Sequence, residues 1–158
     1  MVKVGEKIPE FQLPRWKENK MEIISVPSTF QGEKTVLFFF PLAFSPVCTE
    51  EMCEVRDEFQ EFARLDAVVY GISVDSPFVL EAFAHHHHIP FPLLSDFNKE
   101  IIKKFGVFHE EILGLKGVAK RSVFIVDSQG IVRYRWVSED PRQKPDLAEV
   151  QRILSGIS

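Results

Sequence analysis

The residues best suited to redox chemistry are two cysteines, Cys48 and Cys53, in a short segment that also contains Pro41, Ser45 and Glu51. A cysteine thiolate is a strong nucleophile and can be oxidised reversibly to a sulfenic acid or a disulfide. Taken alone, a cysteine is more often a small buried apolar residue. Three features favour a chemical role for Cys48: its place between a predicted strand and a predicted helix, a hydroxyl three residues before it and a second cysteine five residues after it.

The segment around Cys48 is predicted to pass from a buried strand into an amphipathic helix. The apolar run 36–40 has the character of a buried strand, and Pro41 ends it. Ser45 then occupies an expected N-cap, with Pro46 at the first helical position. Cys48 therefore falls in the first helical turn, where unpaired backbone N–H groups and the helix dipole favour a thiolate over a thiol.

Beyond this segment, predicted strands alternate with predicted helices. The stretch 67–74 is nearly all apolar, as expected for a strand covered on both faces. An N-terminal hairpin is predicted with strands at 11–13 and 22–24 around a charged loop, followed by a helical turn at 27–31, and two further strands are predicted at 122–126 and 131–137. Helices are predicted at 46–64 and 146–154. Two more are predicted to begin at Ser76-Pro77 and after an N-cap at Asn98. This order predicts a single α/β domain over residues 1–158, with a mixed sheet flanked by helices and an N-terminal hairpin extension.

The composition excludes several classes of function. The formal net charge of −4 disfavours a nucleic-acid partner, which would require a basic face. No apolar run approaches the roughly 18 residues of a membrane span, and the first residues lack the apolar region of a signal peptide. We therefore expect no membrane partner and a cytoplasmic location. In a reducing compartment, two cysteines favour redox chemistry over a structural disulfide.

The motif formed by Pro41, Ser45 and Cys48 resembles the peroxiredoxin signature, Pro-x3-Thr/Ser-x2-Cys at a strand-to-helix junction. Most members carry threonine where this chain has Ser45, which keeps the hydroxyl. The nearest branch is the bacterioferritin-comigratory-protein type, or Q type, whose resolving cysteine lies five positions beyond the first, as Cys53 does. The resemblance covers nearly the whole chain and includes the segments 4–11, 71–76, 92–96 and 119–127.

This resemblance implies a thioredoxin-like fold and a thiol-dependent peroxidase acting on hydrogen peroxide and organic hydroperoxides. The Cys48 thiolate would attack the terminal peroxide oxygen and become a sulfenic acid, and Cys53 would condense with it to form a disulfide. A thioredoxin-like dithiol would then restore both thiols. No metal, haem, flavin or other cofactor is expected. The branch contains monomers and dimers, and we favour a homodimer.

The resemblance also implies roles for residues around the nucleophile. Pro41 would shield the site, Ser45 would bond the peroxide, and Arg121 would stabilise the thiolate and the transition state. Taken alone, Arg121 at the start of an apolar strand is either a solvated strand end or a cation placed there as a partner for another group. Glu50 and Glu51 act in the opposite direction, because nearby carboxylates disfavour a thiolate. Glu51 is expected either to orient Arg121 or to be a plain first-turn acid.

Helix geometry constrains how Cys53 can reach Cys48. Five residues along a helix place the two Cα atoms roughly 8 to 9 Å apart, whereas a disulfide requires about 4.4 to 6.8 Å. Oxidation is therefore expected to unwind residues 47–54, at low cost because this turn is rich in acids. The alternative is a single-cysteine peroxidase in which Cys53 is structural and an outside thiol reduces the sulfenic acid.

Two other classes of function remain open at this point. One is a dithiol reductase or isomerase, which is disfavoured because the chain has no Cys-x-x-Cys and no proline between Ile112 and Val126, before the predicted hairpin. The other is a redox sensor or chaperone that uses the same sulfenic acid as a signal.

Four consecutive histidines, residues 85–88, suggest a metal site. Successive residues on a helix point about 100° apart, so the four side chains cannot converge on one ion. Only His85 and His88 would share a face. We expect a solvated helix end, where histidines are favoured by the dipole.

Overall fold

A five-stranded mixed sheet organises residues 1–27 and 33–157, which are the residues described by the computed structural model. In chain order the strands are β1 (Phe11–Lys17), β2 (Lys20–Val26), β3 (Lys34–Phe39), β4 (Ala67–Ser73), β5 (Leu93–Ser95), β6 (Phe108–His109), β7 (Val118–Ala119), β8 (Ser122–Val126) and β9 (Val132–Val137). The helices are α1 (Pro46–Asp57), α2 (Phe59–Arg64), α3 (Pro77–His87), α4 (Glu100–Lys104) and α5 (Leu147–Ser155).

The sheet has the order β5-β4-β3-β8-β9. Strands β3, β4 and β5 run parallel, and β8 is antiparallel to both β3 and β9. The β1–β2 hairpin lies outside this sheet. This arrangement confirms the predicted thioredoxin-like α/β fold with a mixed sheet and an N-terminal hairpin.

The central strand β3 is buried along its whole length, as its continuous apolar run predicts. Because side chains alternate along a strand, Val36 and Phe38 enter one core, and Leu37 and Phe39 enter the other. The first core contains side chains of α1, α2, α3 and α5, and the second contains those of α4 and the hairpin. Strand β3 is thereby fixed on both faces, and the loop that follows it starts from a rigid position.

Two local predictions are corrected by the structure. The charged residues between the N-terminal strands extend the hairpin instead of forming a loop, and the turn consists of Glu18 and Asn19, with φ of 54° and 61°. Two successive residues in the left-handed region form the tight turn that suits a twisted hairpin. The predicted helix 46–64 is divided at Glu58 into α1 and α2, and no glycine or proline marks this break.

The predicted cap at Asn98 is also wrong. Lys99 is the N-cap residue of α4, and the carboxylate of Asp96 accepts hydrogen bonds from the backbone N–H groups of Glu100, Ile101 and Ile102. The carboxyl group of Asp96, two residues before Asn98, takes the capping role, since it accepts several orphan donors at once. The predicted helical turn at 27–31 falls, from residue 28 onward, outside the described residues.

Among residues 1–27 and 33–157, no helix is both long enough and apolar enough to span a membrane.

Candidate active site

The loop between β3 and α1 is hydrogen-bonded to the end of the neighbouring strand β4 and to the residues that follow it. The backbone N–H of Phe40 bonds the carbonyl of Ile72 at 3.0 Å, and that of Ala43 bonds the Asp75 carboxylate at 2.7 Å. The same carboxylate oxygen accepts a hydrogen bond from the Ser73 hydroxyl at 2.6 Å. Asp75 therefore ties the loop to the end of β4.

Ser45 occupies the N-cap position of α1, with Pro46 after it, but its hydroxyl does not cap the helix. The hydroxyl donates to the carbonyl of Leu42 at 2.7 Å, whereas a capping hydroxyl would accept from a helical N–H. The expected capping bond is therefore absent, and the Ser45 side chain stays at the surface of the pocket beside Cys48.

Cys48 lies in the first turn of α1, with only 1% of its surface exposed. Its sulfur is 3.2 Å from Nη2 of Arg121, a residue that is itself 2% exposed. Arg121 directly precedes β8, which pairs with β3, so the sheet brings the two residues together across 73 positions of sequence.

The guanidinium of Arg121 is fixed on its other sides as well. Nη1 donates to a carboxylate oxygen of Glu51 at 2.5 Å, and Nε and Nη2 donate to the carbonyl of Pro141 at 3.2 and 2.8 Å. Burial opposes the charged form of this guanidinium, but Glu51 and Cys48 outweigh it and raise the pKa of Arg121. The cation is thus held in place beside the sulfur.

Glu51 is completely buried one turn after Cys48, and the two glutamates of this turn have different environments. Burial raises the pKa of Glu51 to about 7, although the charge and hydrogen bond of Arg121 act to lower it. Among the described residues, Oε2 of Glu51 has no hydrogen-bond partner. Glu50, in contrast, is exposed and faces Lys144 at 3.4 Å. Of the two acids, Glu51 is the one that contacts Arg121.

The four residues Pro41, Ser45, Cys48 and Arg121 meet at one pocket of about 210 Å³. The rest of its wall is mainly apolar and is formed by Leu42, Pro46, Val47, Ile112, Leu113, Leu115, Val118, Pro141 and Arg142. Leu113 is 89% exposed at this wall. A small polar group entering the pocket would meet a sulfur and a guanidinium within apolar surroundings, where electrostatic interactions are strong.

Comparison with known proteins places the chain in a family. A family model described as the AhpC/TSA family matches residues 4–135. Peroxiredoxin Bcp of Bacillus subtilis is 32% identical over 163 residues, which is 99% of this chain and 98% of that protein. The chain belongs to the AhpC/TSA family.

Solved structures of the family share the fold. Peroxidoxin BcpB of Mycobacterium tuberculosis superposes with a TM-score of 0.84 at 30% identity, covering 100% of this chain and 99% of that one. AhpC of Enterococcus faecalis gives a TM-score of 0.86 at 26% identity, covering 99% and 92%. The resemblance to the peroxiredoxins is thereby confirmed, and the chain is an enzyme of the peroxidase class.

Cys53 lies away from the pocket just described. Both cysteines are free, and both lie within the intact helix α1. The partly buried sulfur of Cys53 is 3.7 Å from Nδ1 of His87, on α3. Five residues of helix turn the two cysteine side chains roughly 140° apart, so a disulfide requires a change in α1.

Lys144 connects the chain before α5 to the exposed face of α1. Its Nζ lies 2.7 Å from Glu54 and 3.4 Å from Glu50. These ion pairs span residues expected to unwind on oxidation. Together with the burial of Glu51 and Met52, they make this opening more costly than the sequence suggests.

The histidine run is only in part the solvated helix end that was expected. His85 and His86 are exposed in α3, and His88 ends the helix with φ of 54°, but His87 is partly buried. Within the described part of the chain, no three side chains of metal-binding type come together.

Sequence reasoning missed Asp75, His87 and Pro141. Asp75 stands in the segment 71–76 that carries part of the resemblance, which was the only available signal. Pro141 acts through its backbone carbonyl, and the contact of His87 depends on how α3 packs against α1. Neither the type of these residues nor their spacing in the sequence indicates the Pro141 carbonyl contact or the His87 contact.

Proposed function

We propose that Cys48 is the nucleophile of a thiol peroxidase that reduces hydrogen peroxide and organic hydroperoxides. The observation that carries this is the 3.2 Å contact between the buried Cys48 sulfur and the Arg121 guanidinium at the pocket. The thiolate attacks the terminal peroxide oxygen, the O–O bond breaks, and a proton joins the departing oxygen. The products are the Cys48 sulfenic acid and water or an alcohol.

Each neighbour of Cys48 has a distinct role in this step. Arg121 stabilises the negative charge as it moves from sulfur to the departing oxygen, since a guanidinium offers several donors in one plane. The Ser45 hydroxyl, which donates its proton to the Leu42 carbonyl, accepts a hydrogen bond from the peroxide, and the buried Pro41 limits access of water. Glu51 orients Arg121 through their ion pair.

We further propose that Cys53 resolves the sulfenic acid. Its thiolate attacks the Cys48 sulfur, an S–S bond forms, and the hydroxyl leaves as water after taking up a proton. For this to occur, residues 47–54 must unwind, which breaks the contact of Glu51 with Arg121 and exposes Met52. A dithiol donor such as a thioredoxin then reduces the disulfide by thiol exchange.

The proposed cycle requires a cellular compartment in which thiols stay reduced. A reducing compartment such as the cytoplasm keeps both thiols free between turnovers. We propose that residues 1–158 act as one domain, which agrees with the full coverage of this chain by the superposed BcpB structure. The proposed assembly is a homodimer, which sedimentation of the reduced and oxidised protein would test.

One observation favours a second candidate, the single-cysteine peroxidase. The Cys53 sulfur contacts His87 and lies in an intact helix, as a structural cysteine would. In this candidate an outside thiol attacks the Cys48 sulfenic acid directly, and Cys53 takes no part.

Peroxide consumption by the wild type, Cys48→Ser and Cys53→Ser, with a thioredoxin system as donor, tests both proposals. Cys48→Ser should be inactive, since a serine hydroxyl does not supply an anion near neutral pH. Activity in that variant would disprove the nucleophile assignment. Mass spectrometry of the peroxide-treated wild type should show a Cys48–Cys53 disulfide. A stable sulfenic acid, together with full turnover of Cys53→Ser by a monothiol, would establish the single-cysteine cycle instead.

A further inference from the structure

The Cys53 sulfur has a titratable neighbour, which the peroxidase cycle described so far leaves without a role. Nδ1 of His87 lies 3.7 Å from this sulfur, and 34 positions of sequence separate the two residues. In the tautomer that carries its proton on Nε2, a neutral imidazole accepts a hydrogen bond at Nδ1. The thiol of Cys53 is the donor placed to fill that position.

The ring of His87 is held in this position from several sides. Arg56, on α1, donates from Nη1 to the backbone carbonyl of His87 at 2.7 Å and so fastens the end of α3 to the helix that carries Cys53. The imidazole packs against the Phe83 ring at 4.9 Å and the Phe44 ring at 6.3 Å between centroids. Of the four consecutive histidines, His87 is the one directed at α1, whereas His85 is exposed on the same helix.

We propose that His87 is the base that takes the proton from Cys53 and so prepares it to resolve the sulfenic acid. This inference rests on the proposed role of Cys53 as the resolving cysteine. It assigns a function to one member of the histidine run, which has no part in the chemistry at Cys48.

The chemistry balances without a further oxidant. While α1 is still intact, the Cys53 S–H bond breaks, its proton passes to Nδ1 of His87, and the sulfur keeps the electron pair. Residues 47–54 then unwind and bring the Cys53 thiolate to Cys48. That pair forms the S–S bond to Cys48, and the sulfenic hydroxyl leaves with the electrons of the broken S–O bond. The hydroxide takes up a proton from the solvent, and the imidazolium of His87 releases a proton to the solvent. The net products are therefore a disulfide and one water.

The charges around His87 favour its neutral form. Partial burial lowers the pKa of His87 below its ordinary value of 6.5, and His86, Arg56 and His88 lower it further. Arg56 and Cys53 face the ring from α1, with Asp57 paired to Arg56 at 3.0 Å, and His86 and His88 are its neighbours on its own helix. A neutral imidazole near pH 7 is able to accept a proton. On acidification it becomes protonated and can no longer act as the base.

Single-turnover kinetics can isolate the step concerned. The reduced protein is mixed with one equivalent of hydrogen peroxide, quenched in acid at a series of times, and the sulfenic acid and disulfide are measured by mass spectrometry. His87→Ala should form the sulfenic acid at the wild-type rate and the disulfide about 10²-fold more slowly near neutral pH, the usual size of a general-base effect. Added imidazole should restore part of this rate, which it would not do for a purely structural loss. His85→Ala, an exposed position of the same helix, is the matched control and should behave as wild type.

A second measurement does not depend on the disulfide. In the Cys48→Ser background, iodoacetamide should alkylate Cys53 more slowly when His87 is replaced by Ala. With His87 present, the dependence of the Cys48→Ser protein's alkylation rate on pH should contain a step below pH 6.5, where His87 titrates, and the double variant with His87→Ala should lack that step.

The outcomes separate the two proposals. If His87→Ala forms the disulfide at the wild-type rate at every pH, and alkylation of Cys53 is unchanged, His87 is not the base and the resolving role of Cys53 stands. If the wild type itself forms no disulfide, the resolving role of Cys53 is wrong and the inference about His87 is overturned with it.

Discussion

The sulfur of Cys48 lies 3.2 Å from Nη2 of Arg121, and both residues are almost completely buried. Glu51 and the carbonyl of Pro141 hold the guanidinium in place from its other sides. The positive charge therefore occupies its position before a peroxide enters. In a site of this kind little reorganisation is needed as charge moves during the reaction, and preorganised donors have their largest effect.

Replacement of Arg121 should slow the first chemical step much more than it affects the fold. We expect Arg121→Ala to lower the second-order rate constant for peroxide by about 10² to 10³, the size typical of one preorganised donor. Arg121→Lys should recover only part of this, because an ammonium cannot reach Cys48, Glu51 and Pro141 in one plane. Stopped-flow measurement of sulfenic acid formation gives the rates. Arg64→Ala, which removes an arginine that is 70% exposed, is the control; an equal loss in both variants would contradict the role of Arg121.

Glu51 should give the stability of the reduced protein a distinctive dependence on pH. Burial raises its pKa from 4.5 to about 7, so between these values the folded protein holds a proton that the unfolded chain has lost. The free energy of unfolding therefore falls as the pH rises through this window. Glu51→Gln should remove this contribution. Urea unfolding of both proteins between about pH 5 and pH 8 measures it, and parallel curves for the two proteins would show that Glu51 does not titrate as described.

The sequence predicts the surroundings of Cys48 well where the signals are local. A continuous apolar run, Pro41 and Pro46 are enough to indicate strand, loop and helix. The position of Arg121 is different, because it depends on the pairing of β3 with β8, and only the resemblance to a family supplies it. The contact of Cys53 with His87 depends on helix packing, and neither residue type nor spacing encodes it.

The misplaced cap at Asn98 and the missing capping bond of Ser45 have a related physical cause. Asn98 is a good N-cap by residue type, but the buried carboxylate of Asp96 satisfies three backbone donors of the following helix at once. Ser45 sits at an N-cap, but its hydroxyl bonds the loop before it. At both helix starts, tertiary structure determines which nearby polar side chain, if any, makes a hydrogen bond to the first helical N–H groups.

Asp75 should control the order of the loop that precedes Cys48. Asp75→Ala leaves the Ala43 N–H and the buried Ser73 hydroxyl without their acceptor, which should cost about 1 to 3 kcal/mol of stability. Asp75→Asn keeps one acceptor oxygen and should lose less. Hydrogen exchange at the Ala43 amide, compared among the three proteins, measures the effect directly. Unchanged protection of this amide in Asp75→Ala would show that the loop is held by other contacts.

Lys144 should slow the opening of α1 after oxidation. The exposed ion pairs of Lys144 with Glu50 and Glu54 contribute at most about 1 kcal/mol each, so Lys144→Ala should accelerate disulfide formation by no more than about 30-fold. High salt should remove the difference between variant and wild type, because it screens exposed charges. Quenched-flow kinetics at low and high salt give both rates, with the exposed Lys3→Ala as control. A slower rate in Lys144→Ala would indicate that the lysine assists the opening.

The bridge from Lys144 to Glu50 and Glu54 also bears on how a reductant distinguishes the two states of this enzyme. In the reduced protein the ammonium group of Lys144 offsets one of the two carboxylate charges at short range. Unwinding of residues 47–54 would separate them, so that two carboxylates travel with the disulfide while the ammonium group remains behind. The oxidised protein would thus carry two unpaired negative charges at its surface beside the Cys48–Cys53 disulfide. A donor with a positively charged docking surface would then associate faster with the oxidised enzyme than with the reduced enzyme.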